Sequence, residues 1–179
     1  MKQNIARLGQ SAAILALFAV SAAASHGAVT QFKFLNGMNG TNEVPANAST
    51  GFATINVLSF DSAQGAFGVL TVNLTFSDLL SSATAAHVHG FSDFTMNSGV
   101  LAPLVRTAAT SGTITGSWSP TSALQVDNLF NGLTYVNLHT SGFPGGEIRG
   151  QMVPIPEPAA SAMLGLAVLG VLGRRRTRR

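Results

Sequence analysis

The chain has 179 residues, with ten Lys and Arg, seven Asp and Glu, four His, one Trp, one Tyr and no Cys. The length fits one domain, and the lack of cysteine excludes a disulfide frame, a Cys nucleophile and a thiolate metal site. The formal charge of +3 does not make the chain a nucleic-acid binder, because most of its bases lie in the two terminal segments.

In chain order, residues 1–24 carry the marks of a signal peptide. Lys2 and Arg7 form a basic start, Ser11–Val20 is apolar, and Ala22-Ala23-Ala24 offers the small residues a signal peptidase requires. Cleavage is expected before Ser25, with a second and poorer site after Ala28. The middle, residues 29–153, is punctuated like an all-β protein. Candidate strands are Thr30–Leu35, Gly51–Ser59, Ala66–Phe76, Ala85–His89, Ser111–Trp118, Thr134–His139 and Glu147–Met152. In the third, Leu70, Val72, Leu74 and Phe76 share one face and Thr71, Asn73 and Thr75 the other. Seven or so short strands with regular turns predict an antiparallel sandwich or small barrel. Ser77–Ser82 reads as a loop or one helical turn, and Leu124–Asn131 as a short helix before Gly132.

Residues 154–179 form a distinct tail. Pro156-Glu157-Pro158 precedes an apolar stretch, 159–173, which reads as a short transmembrane helix, and then Arg174, Arg175, Arg176, Arg178 and Arg179. The arginines place that end in the cytoplasm and the folded domain outside. Between the two ends only Lys33, Arg106 and Arg149 remain as bases, so the domain with Glu157 carries about −4.

His87 and His89 flank Val88. On a strand both imidazoles leave the same face, about 6.5–7 Å apart at the backbone, which lets them converge on one ion. His139 ends another apolar strand; if the two strands are neighbours, a three-histidine copper or zinc site follows. The alternative is that these histidines only bond backbone carbonyls. Glu147 and Arg149 share a strand face, so they pair, or Arg149 reaches another carboxylate such as Glu43. Gly145 and Gly146 suit a tight turn into the last strand, Pro45 fixes an extended segment, and Trp118 and Tyr135 read as packing residues. No nucleophile elbow or convincing carboxylate pair is present, and no catalytic residue is assigned.

Two resemblances complete the reading. The tail resembles the PEP-CTERM sorting signal, which implies processing by exosortase and association with exopolysaccharide and biofilm. The blocks Asn42-Glu43-Val44-Pro45, Ala85-Ala86-His87-Val88-His89-Gly90, Leu133–Thr140 and Pro144–Gln151 resemble the CHRD domain, named from chordin. That resemblance implies an immunoglobulin-like β-sandwich distantly similar to copper/zinc superoxide dismutase, and no established enzymatic activity. The His-x-His strand looks like paired copper ligands of that dismutase, although a bridging histidine, a zinc loop and a disulfide are missing.

The expected function is therefore an exported, non-enzymatic surface or extracellular-matrix binding module. Its partners would be signal peptidase and exosortase during processing, the inner membrane before cleavage, and an extracellular polysaccharide or protein afterwards, with no nucleic acid. The alternative is a histidine-ligated copper or zinc protein on the same scaffold.

Overall fold

The structure is a computed structural model that describes residues 29–156. The expected signal peptide, the 159–173 helix, Glu157, Pro158 and the arginine cluster lie outside the described residues. Among the described residues, no helix is long and apolar enough to cross a membrane.

Eight strands form the domain: β1 (Val29–Asn39), β2 (Phe52–Asp61), β3 (Val69–Ser77), β4 (Ala83–Gly90), β5 (Val100–Arg106), β6 (Gly112–Trp118), β7 (Thr134–Thr140) and β8 (Ile148–Pro154). One helix, α1 (Ala123–Phe130), lies between β6 and β7. Every strand pair is antiparallel, and the ladder runs β1-β2-β3-β6-β5-β4-β7-β8 before closing back on β1. The strand pattern allowed a sandwich or a barrel; the β1–β8 ladder closes the sheet into a barrel, which leaves no free edge.

The seven strands expected from alternation are present. In β3, Leu70, Val72, Leu74 and Phe76 are fully buried in the core while Thr71 and Thr75 are exposed. β5 lies outside the seven candidate strands, and its Pro103 argues against a strand. The β5–β6 ladder involves only Val105 and Arg106. Pro103 stands outside it, so the missing N–H takes nothing from that pairing. Ser77–Ser82 contains no helical turn; β3 ends at Ser77 and β4 begins at Ala83.

Helix α1 begins at Ser122, whose hydroxyl accepts from the Gln125 amide. It ends before Gly132, which takes φ of 74°. Leu129 joins the core, and Phe130 packs edge-on against Phe32 and Phe60, with ring centroids 5.5 Å apart in both pairs.

The connection through α1 brings β7 back beside β4 instead of beside β6. Strands β4, β5 and β6 form a meander and β7 returns to its first strand, a Greek key. This return matters for the site, because it puts His139 next to His87 and His89. The register pairs Ala85 with His139, His87 with Asn137 and His89 with Tyr135.

Candidate metal centre

On β4, β7 and β8 the apolar residues Ala86, Val88, Val136, Leu138, Ile148 and Met152 belong to the core. Strand alternation then turns His87, His89, Tyr135, Asn137, His139, Arg149 and Gln151 to the opposite face. Several of these are nonetheless buried: Asn137, Arg149 and Gln151 are at most 2% exposed. Loops from both ends of the barrel cover them, so a second, polar layer lies outside the hydrophobic one.

The three histidines of the sequence reading meet in this layer. One ring nitrogen from each of His87, His89 and His139 lies within 4.8 Å of the others. The Nδ1 of His139 is 3.0 Å from the Pro144 carbonyl, and that of His89 is 2.9 Å from the Ser98 carbonyl. A carbonyl only accepts, so both Nδ1 atoms carry the proton and both Nε2 atoms present lone pairs. The Nε2 of His89 is buried with no hydrogen-bond partner, and that of His139 is 3.2 Å from Nδ1 of His87. Without an ion, His87 Nδ1 therefore donates to His139 Nε2; with its proton on Nε2 instead, His87 Nδ1 joins Nε2 of His89 and His139 as a three-nitrogen donor set.

These residues fit a metal ion. An ion ~2.05 Å from each nitrogen would subtend about 100° across the 3.2 Å His87–His139 separation, near the tetrahedral value. Two nitrogens can share such an ion when they are at most about 4.2 Å apart, and those of the cluster lie within 4.8 Å of one another. The Ser98 and Pro144 carbonyls supply the outer contacts that fix ring orientation and tautomer. Burial, reinforced by the neighbouring His139, lowers the pKa of His87. Burial also lowers that of His89, against the opposing effect of the Ser98 carbonyl. Both rings are held in the neutral, ligating form near pH 7.

An aromatic ring and a buried cation back His89, an arrangement beyond the sequence expectation. The His89 ring lies 4.9 Å from the Tyr135 ring, 8° from parallel, and the Arg149 guanidinium carbon sits 3.6 Å over that same ring. Strand β7 runs between β4 and β8, so the two groups reach Tyr135 from strands on opposite sides. The alternation of Tyr135, Asn137 and His139 with Val136 and Leu138 was the available signal for this polar face.

The expected Glu147–Arg149 pairing is not formed. Glu147 precedes β8, and its buried carboxylate accepts from Ser49 Oγ and the Leu80 amide at 2.6 Å and from Thr140 Oγ1 at 2.6 Å. Arg149 donates to the Met96 and Asp93 carbonyls, to Asn97 Oδ1 and to Gln151 Oε1. The physical reason is position: Glu147 is held by Ser49, Leu80 and Thr140, whereas Arg149 is held by the 93–97 loop and Gln151.

Glu43 does approach this layer. It is buried, and Asn137 Nδ2 donates to its Oε2 at 3.3 Å. Burial pushes its pKa up to about 7, against the lowering influence of Arg149 and of the hydrogen bonds from Asn137 and the Val44 backbone. Its Oε1 and the Oδ1 of Asn137 have no partner, and both lie within 2.6 Å of the Cβ position at Gly146. Gly146, at φ of 135°, allows this approach. Gly145 needs no such freedom: its φ is not positive and a Cβ there meets nothing within 4 Å. Pro45 lies on the exposed rim of a cleft of about 480 Å³ between Glu43–Asn47 and Gly142–Gly146.

A family model for the CHRD domain matches residues 34–152. A second, for the PEP-CTERM protein-sorting motif, matches residues 154–179. No curated protein and no solved structure matches the chain.

Proposed function

The chain belongs to the CHRD-domain family, and from that premise we propose that its barrel is an exported, non-enzymatic metal-binding module of the cell surface or matrix. Export and processing by exosortase follow from the PEP-CTERM motif. The apolar stretch 159–173 would hold the precursor in the inner membrane until the tail is cut near Pro156–Pro158. Attachment to extracellular polysaccharide or protein is part of the same proposal and rests on the sorting class.

The observation that carries the metal reading is the convergence of three imidazoles, with His89 and His139 oriented by carbonyls at Nδ1 and His89 Nε2 buried without a partner. A histidine that merely completes a backbone hydrogen bond does not need two others aimed at it. Copper and zinc suit neutral imidazole donors. His87-x-His89 opposite His139 supports the superoxide-dismutase likeness at the level of the donor set. No dismutation is proposed, because Lys33, Arg106 and Arg149 are the only bases of the domain and Arg149 is buried, which leaves little to steer an anion.

Metal analysis of the purified mature domain tests the reading. Binding of one copper or zinc per chain, abolished in His87→Ala, is expected. Binding at non-specific levels only, or unchanged in that variant, would overturn it.

A further inference from the structure

The surroundings of the three histidines bear on the charge of the ion they hold. Arg149 is wholly buried, and its four hydrogen bonds all end on neutral oxygens: the carbonyls of Met96 and Asp93 and the side-chain amides of Asn97 and Gln151. Among the described residues no carboxylate is bonded to it. The Asp93 carboxylate is occupied by the amide and hydroxyl of Thr95. Glu43, the other acid near Arg149, is bonded to Asn137 instead, and the Glu147 carboxylate is bonded to Ser49, Leu80 and Thr140.

The guanidinium faces the site through one ring. Tyr135 lies against Arg149 at 3.6 Å and against His89 at 4.9 Å. Tyr135 is itself fixed, because its hydroxyl oxygen accepts from the Ser98 amide at 2.9 Å and the Ser98 carbonyl takes the His89 Nδ1 proton. The positive charge therefore has a set distance from the ligand ring, roughly 8.5 Å if the three groups are in line. Three neutral imidazoles add no negative charge, and the metal-ligand cluster contains no carboxylate.

We propose that this site is built for the monovalent ion, Cu(I), and that the Arg149–Tyr135–His89 stack sets that preference. This rests on the metal-centre reading above. A buried cation that no carboxylate touches opposes each unit of charge on the ion, so it opposes a dication twice as strongly; the nearby Glu43 and Asp93 offset part of this field. At about 10 Å and an effective dielectric of ~20, one extra unit of charge costs a factor of about 15 in affinity. Three nitrogens can complete a Cu(I) site with no further ligand, whereas zinc on three histidines takes a fourth ligand such as water. Arg149 and Tyr135 act through His89 and are positioning residues.

The test compares affinities of the mature domain for Cu(I), by anaerobic chelator competition, with those for Cu(II) and Zn(II). The unmodified protein should bind Cu(I) at least tenfold more tightly than either dication. Arg149→Met should reduce the Cu(I)-to-Cu(II) affinity ratio by about 10- to 20-fold, while Arg149→Lys, which keeps the charge, should restore most of it. Because Arg149→Met removes buried hydrogen bonds and can fail to fold, Glu43→Gln at pH 8 gives an independent reading. It removes an acid near Arg149 and should move the ratio further toward Cu(I). Tighter Cu(II) than Cu(I) binding, or a ratio that no variant moves, would overturn the proposal while leaving a metal centre in place. Absence of any copper or zinc binding would remove the metal-centre reading and this preference together.

Discussion

The imidazole of His89 lies flat on the phenol of Tyr135, 4.9 Å between ring centroids and 8° between planes. The two residues are also register partners across β4 and β7, and both are hydrogen-bonded to Ser98. Ring, register and loop thus hold one ligand in one orientation. Tyr135→Phe keeps the stacked ring and removes the acceptor of the Ser98 amide. It should lower stability by about 1–2 kcal/mol and leave metal affinity within about tenfold, as thermal denaturation and metal titration of the same variant will show.

Two groups of this layer make opposite contributions to stability as pH changes. His87 and His89 have folded pKa values below 6.5, so the unfolded chain takes their protons first and stability falls as pH drops below about 6.5. Glu43 is raised from 4.5 to about 7; the folded chain keeps its proton longer, and stability falls as pH rises from 4.5 to about 7. Glu43→Gln should remove the second dependence only. Its denaturation curves should show a gain on the order of 1–3 kcal/mol at pH 8 over the unsubstituted chain and none at pH 4.5.

Gly146→Ala should destabilise the domain by about 2–3 kcal/mol. Its φ of 135° disfavours any side chain, and a Cβ would stand 2.5 Å from Asn137 Oδ1 and 2.6 Å from Glu43 Oε1. The same change on Gly145, where a Cβ meets nothing, should shift Tm little. Equal losses at the two positions in a thermal melt would contradict the crowding described here.

Glu147 is the anchor between three segments, since Ser49, Leu80 and Thr140 all donate to it. Glu147→Ala leaves three donors without an acceptor and should cost about 3–5 kcal/mol. Glu147→Gln keeps an acceptor for Ser49 and Leu80 and should cost less than half as much. Urea denaturation of the two variants separates lost acceptors from lost volume.

The sequence disclosed the barrel wherever a strand had one wet and one dry face. Leu70, Val72, Leu74 and Phe76 announce β3 by alternation, and the stretch Leu124–Asn131 before Gly132 announces α1. It did not disclose β5, because Pro103 imitates a break and only the shortness of the β5–β6 ladder shows why the residue is tolerated there. His87 and His89 were legible as a pair by spacing, whereas their meeting with His139 depended on the Greek-key return of β7. The Arg149–Tyr135 stack was hidden for another reason. Charged and aromatic residues on the outer face of a strand normally point to solvent, and it is the covering loop 91–99 that turns this face into an interior.

X-ray absorption at the copper or zinc edge of the metal-loaded mature domain reads the three-histidine ligation itself. About three nitrogen scatterers at ~2.0 Å with the outer-shell features of imidazole are expected, and those features should be lost in His89→Ala. A spectrum of oxygen scatterers alone, or one that the His89→Ala substitution leaves intact, would contradict it.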